Sequence, residues 1–162
     1  MRSRVVLSGS RAFTLTELLI TLALLGIIAF IAVPVVSNLQ VSSQLDDVTT
    51  EIKMALHTAR TRSVARAGNA THGVLFTLTP GAQSYTLYQI PDGASVRDPA
   101  LDEMRTIPRA LTIATTIPSG DVEFNRGTGA SSLIAQSTIT ITHSSGASRT
   151  ITITPIGLVD AE

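Results

Sequence analysis

Among the groups in this 162-residue sequence that could do chemistry, one stands where a charge is least expected. Glu17 heads an apolar run: Leu18 to Leu45 holds no Asp, Glu, Lys or Arg, and Leu18 to Val33 is apolar apart from Thr21 and Gly26. An ionisable side chain at bilayer depth costs on the order of 2.5 to 3.5 kcal/mol, less near the interface, and is by default a functional group with a partner. The eleven Leu, Ile, Phe and Val residues between Leu18 and Val33 return about 0.3 to 0.6 kcal/mol each on insertion, so the segment inserts with Glu17 in place. No basic side chain follows on this segment. The partner of Glu17 must come from elsewhere.

The other reactive types form no constellation. Cysteine is absent, which removes disulfides, thiolate metal sites and cysteine nucleophiles together. His57, His72 and His143 are scattered, and no pair has metal-ligand spacing. Gly127-Thr128-Gly129 lacks the lysine and the following hydroxyl residue of a phosphate loop. Asp98, Asp102 and Glu103 could gather around calcium, but the glycine-punctuated ligand ladder of a known loop is missing and a solvated acidic loop is the better reading. Asn69-Ala70-Thr71 fits a glycosylation sequon, a pattern short enough to arise by chance. Neither catalysis nor a cofactor is expected.

The elements that must position these groups follow from composition. Charged residues are 15% of the chain and mean hydropathy is +0.32, a polarity deficit for an ordinary soluble domain of this size. The excess lies at one end. Counted as helix, Phe13 to Val36 is about 36 Å long, enough to cross a hydrocarbon core of about 30 Å with some tilt. Arg2, Arg4 and Arg11 precede it without an acid, which predicts a cytoplasmic N-terminus and an exported remainder. A cleaved secretory signal is disfavoured by Glu17 and by Phe30-Ile31-Ala32-Val33-Pro34, which lacks a small-x-small cleavage pair.

The helix is expected to continue over residues 37–67 as an amphipathic segment. Leu39, Ser42, Leu45, Val48, Ile52, Ala55, Leu56, Ala59 and Ser63 step mostly by three or four, with Pro34 as a kink and Gly68 as the C-terminal cap. Lys53, His57 and Arg60 share a face, with Arg66 beyond. They are a possible weak strip for DNA or a partner, although a solvated face near the negative end of the helix dipole explains them better. From residue 73 to 162 the chain turns to short β-branched segments; threonine, 22 in all, dominates with Ile and Val. Strands are expected over 73–79 and 85–90 around Pro80-Gly81-Ala82-Gln83, over 110–117 and 122–125, and over 137–143 and 149–154. Ala94 to Arg105 reads as a loop.

Arg11-Ala12-Phe13-Thr14-Leu15-Thr16-Glu17-Leu18-Leu19 resembles the class III signal of type IV pilins and type II secretion pseudopilins. There a short basic leader ends in glycine and is followed by phenylalanine, three mostly apolar residues and glutamate. The resemblance implies that a prepilin peptidase removes residues 1–12 by cutting between Ala12 and Phe13 and methylates the Phe13 amine. It also implies that Glu17, fifth in the mature chain, pairs with the N-terminus of a neighbouring subunit. Gly26 and Pro34 occupy positions common to such helices; Ala12 departs from the family's glycine. Val122-Glu123-Phe124-Asn125-Arg126-Gly127-Thr128-Gly129, the Thr/Ile hairpin and Thr154-Pro155-Ile156-Gly157-Leu158-Val159 are similar to the end of the GspH/FimT class of minor pseudopilins.

The fold implied is α+β and pilin-like: a long N-terminal helix, its first half transmembrane, packed on a C-terminal antiparallel β-sheet head. The function implied is a structural minor subunit of a type II secretion pseudopilus or type IV pilus that primes or caps assembly. Its partners would be other pilin subunits, the prepilin peptidase and an inner-membrane assembly platform. It would pass once through the inner membrane with its N-terminus cytoplasmic before entering the filament. The alternative is a DNA-binding minor pilin for DNA uptake. From Phe13 to Glu162 there are 9 basic and 12 acidic residues, and Asp160 and Glu162 lie at the end where DNA-binding relatives are basic, so nucleic acid is the weaker reading.

Overall fold

The structure, a computed structural model, describes residues 13–161; for positions 31–38 it describes the backbone alone. One helix, α1 (Leu15–Val64), runs through the N-terminal third of the chain. Thr14 caps it: its carbonyl accepts the first helical bond, from Leu18 N–H at 3.1 Å, and its Oγ1 accepts from Glu17 N–H at 3.3 Å, which satisfies one of the orphan donors of the first turn. The chain divides into two compact units, one ending at Leu39 and the other beginning at Gln40.

In the first unit Leu18, Leu19, Ile20, Leu22, Leu24, Leu25, Ile27, Ile28 and Phe30 are all exposed, between 53% and 84%. Among the described residues no helix is long and apolar enough to cross a membrane. In sequence the apolar run continues to Val36. The basic leader with Ala12, and the Pro34 kink, lie outside the described residues and side chains.

The second unit is built on two four-stranded antiparallel sheets. Sheet A has the order β3-β2-β1-β5, from β1 (Ala70–Thr77), β2 (Ser84–Pro91), β3 (Glu103–Thr106) and β5 (Asp121–Phe124). Sheet B has the order β4-β6-β7-β8, from β4 (Leu111–Thr115), β6 (Ser137–His143), β7 (Ser148–Ile153) and β8 (Val159–Ala161). Alternation decides which faces are buried: Ile139, Ile141, Ile151 and Ile153 point inward and are fully buried, while the intervening threonines point out. Leu45, Val48, Ile52, Leu56 and Ala59 of α1 join these isoleucines, Val74, Phe76, Leu87, Val122 and Phe124 in one core. The Gln83 side chain ties the sheets, donating to Ile113 C=O at 3.0 Å and accepting from Ile113 N–H at 2.7 Å.

Three expectations need correction. Residues 94–105 are not all loop: a 3-10 turn (Pro99–Leu101) leads into β3, whose Glu103 pairs with Leu87 and Thr106 with Ser84. Strand β8 was not expected at all. The helix ends at Val64, three residues short of the expected 67, because Arg66 rather than Gly68 adopts the first left-handed conformation, at φ 54°. Gly68 follows at φ 63° inside a short 3-10 turn (Ala67–Asn69).

Candidate functional site

The N-terminal groups are open. Phe13 is 71% exposed, and the Glu17 carboxylate meets no cation and accepts no hydrogen bond among the described residues. The Thr14-x-x-Glu17 spacing is that of a capping box, and it orients the first turn with a carboxylate at the positive end of the helix dipole. The same tetrapeptide that carries the cleavage resemblance also starts the helix.

The basic strip is partly committed within the chain. Lys53 Nζ stands 3.7 Å from Asp160, and Arg60 Nε donates to Gly129 C=O at 3.2 Å. The Arg66 guanidinium lies over Gly127, where an added Cβ would stand 3.3 Å from it, but Arg66 and His57 are both exposed and neither side chain has a hydrogen bond or ion pair among the described residues. Nor do the loop carboxylates converge. Asp98 Oδ1 accepts from Ala100 N–H at 3.0 Å, Asp102 faces Arg97 at 3.5 Å, and Glu103 takes a 2.8 Å bond from Arg62. Among the described residues no three acidic or histidine groups gather as a metal site.

The glycine-rich segment around Arg126 does structural work. Phe124 is fully buried in the core, and Gly127 N–H donates to Ser63 C=O at 3.0 Å, capping the end of α1. Gly129 (φ 68°) and Gly157 (φ 80°) pack backbone to backbone beneath Arg60, with no room for a Cβ at either. Arg126 donates to both the backbone and side-chain oxygens of Asn69 at 3.0 Å and meets Asp92 at 2.7 Å. The Arg126 and Asn69 hydrogen bonds hold Asp92 below the usual carboxylate range, and Asp92 in turn raises Arg126. Asn69, the sequon asparagine, is therefore already occupied, its amide donating to Asp92 at 2.8 Å.

A cluster that the sequence did not reveal lies on the outer face of sheet A. Gly73 is in register with Tyr88 on one side and Glu123 on the other. The Tyr88 ring crosses over Gly73, where an added Cβ would stand 2.5 Å from the phenol oxygen. Its hydroxyl donates to Asp121 at 2.7 Å and lies 3.3 Å from Glu123. Burial first, then the two carboxylates, push the Tyr88 pKa far above its ordinary value.

The prokaryotic N-terminal methylation motif matches residues 7–33. In fold, the chain is similar to the minor pseudopilin EpsH from the type 2 secretion system of Vibrio cholerae, with a TM-score of 0.56 at 11% identity over 74% of this chain and 96% of that one. At that identity the likeness is one of architecture: α+β, a long N-terminal helix on antiparallel sheets, pilin-like. No curated protein matches the chain in sequence.

Proposed function

We infer that the chain is a structural subunit of the type IV pilin and pseudopilin superfamily, since an N-terminal methylation motif over residues 7–33 stands on a chain with a pilin-like fold. The motif carries the reading; the fold agrees with it. In this reading the first half of α1 anchors the chain in the inner membrane, the head lies outside the cytoplasm, and the peptidase cuts between Ala12 and Phe13 and methylates Phe13. The open Glu17 carboxylate then meets the Phe13 amine of a neighbour, and the subunit primes or caps a type II secretion pseudopilus or type IV pilus. Its partners are other pilin subunits, the prepilin peptidase and the assembly platform.

DNA uptake is the second reading, and the head gives it little support. Lys53 faces Asp160 and Arg60 is spent on a backbone carbonyl, which leaves few cations free to neutralise phosphates. The N-terminus tests the main reading. Protein from a host with a prepilin peptidase should begin at a methylated Phe13; a start near Val33, as a signal peptidase would leave, refutes it.

A further inference from the structure

On the outer face of sheet A, Asp121 and Glu123 are consecutive outward positions of β5, an edge strand. Most acids in the head have a cation within 4.0 Å: Asp46 with Arg149, Glu51 with Arg105, Asp92 with Arg126, Asp102 with Arg97, Glu103 with Arg62 and Asp160 with Lys53. Asp121 and Glu123 have none among the described residues, although they stand side by side and half-buried. Arg97 lines the same groove as the two acids, but its guanidinium lies 5.9 Å from the centroid of the Tyr88 ring and its ion pair is with Asp102.

Two like charges held together without an ion-paired cation are unfavourable, and the fold commits residues to the arrangement. Tyr88 is buried to reach both carboxylates with one hydroxyl, and Gly73 gives up its side chain to let the ring pass. One shared donor leaves most of the four carboxylate oxygens without a hydrogen bond among the described residues. On either side of the pair runs a groove. One, of about 660 Å³, is bounded by Pro118, Leu133 and a fully exposed Ile134; the other, of about 310 Å³, by Leu75, Ile90 and an exposed Val96.

We propose that this face docks a segment of another protein that presents an arginine between apolar residues, the guanidinium bridging Asp121 and Glu123 and the apolar neighbours seated against Ile134 and Val96. The planar fork of arginine suits two carboxylates better than the point charge of lysine, because it donates to both at once. Buried among apolar neighbours, such a pair is the kind of contact that dominates an interface. The neighbour envisaged is another filament subunit, and that identification rests on the function proposed above.

The test uses the full chain in a host that assembles the filament. A photo-crosslinking amino acid is placed at Ile134, at Val96, at the exposed control Ala147, and at Leu22 on the N-terminal half of α1. Irradiation should give one adduct of defined mass from positions 134 and 96 and none from 147, mapping to a partner peptide with an arginine. Asp121→Asn combined with Glu123→Gln, which keeps acceptors for Tyr88, should cut adduct yield about tenfold. Changing the partner arginine to aspartate should abolish the adduct, and adding Asp121→Arg should restore it.

An adduct unaffected by the neutral double variant overturns the proposal, as does a mapped peptide without a basic residue. Calcium retained by the purified full chain but lost in the double variant would make the pair a cation site instead, and also overturns it. No adduct from 134 or 96 while Leu22 still crosslinks to subunits defeats the docking face and leaves the filament reading standing. An arginine-bearing partner that is not a filament subunit, with no subunit crosslinks from Leu22, upholds the docking face and defeats the filament reading.

Discussion

The two halves of α1 are one helix by backbone geometry and two by what their side chains meet. From Leu18 to Phe30 the large apolar residues are 53% to 84% exposed; from Leu45 to Ala59, Leu45, Ile52, Leu56 and Ala59 are fully buried. Pattern separates them. The first half is apolar all round, which suits a helix surrounded by lipid or by other helices, while the second carries a single stripe with charges opposite. A stripe can be covered by the chain's own sheets. An all-round apolar surface needs a partner from outside, and in the function proposed above Glu17 within it takes a charge from outside as well.

The sharpest way to break this contrast is to remove that charge. Glu17→Ala makes the first half more apolar, so membrane association should be unchanged, while incorporation into filaments beside wild-type subunits falls steeply. Leaving one member of a desolvated pair alone costs about 3 to 5 kcal/mol, enough to reduce incorporation by about a hundredfold or more. Quantitative immunoblotting of sheared filaments and membranes reads both quantities. Equal incorporation would mean that Glu17 is only a helix-starting acid beside Thr14.

A matched pair of truncations compares the halves directly. Ile52→Ala empties a fully buried site and should lower the unfolding free energy of the head by about 2 to 5 kcal/mol. Ile27→Ala, at a side chain 60% exposed, should leave that transition within about 0.5 kcal/mol of wild type. Denaturant unfolding of the detergent-solubilised chain, followed by a head signal such as near-ultraviolet tyrosine absorption, distinguishes them. Similar losses from both would place the first half inside the cooperative unit of the head.

What the sequence made legible tracks burial. The stripe on α1 and the Thr/Ile hairpin repeat with the period of their element, because one face of each is in the core, and both are found where expected. Strand β3 shows no such alternation: all four of its residues are exposed, and backbone pairing with β2 alone makes it a strand. Strand β8 is three residues long, too short for any period. The Tyr88 cluster was hidden for another reason. Its carboxylates lie 33 and 35 residues from the tyrosine, and only the order β2-β1-β5, with a glycine in the middle strand, brings them together. Lys53, His57 and Arg60 stand on α1, but Asp160 and Gly129, which occupy two of them, come from far along the chain, where no local pattern connects them to the helix.

The smallest expected effect lies in the pH response, where the halves differ again: between Phe13 and Leu45 the only ionisable side chain is Glu17, whereas the head buries a histidine. His72, on the core face of β1, is 2% exposed, with its Nδ1 unpartnered. Its backbone N–H donates to Ser63 Oγ at 2.9 Å, which fixes it beneath the end of α1. Burial first, then the charge of Arg62, lower its pKa below 6.5; a contact with Gln89 acts weakly the other way. The folded state therefore holds neutral His72 at a pH where the unfolded chain has begun to bind a proton. Head stability should be full above about pH 6.5 and should decline as pH falls from there toward the lowered folded value. Asp92 does not confuse that window, since its contribution is lost only at still lower pH, as protonation overtakes a depressed carboxylate. Urea unfolding at several values between pH 7.5 and 5.5 should show the decline in wild type and a flatter profile in His72→Gln. Parallel profiles would mean that the ring gains a proton as readily in the folded head as in the unfolded chain, and that Arg62, paired with Glu103 at 2.8 Å, is too well neutralised to oppose it.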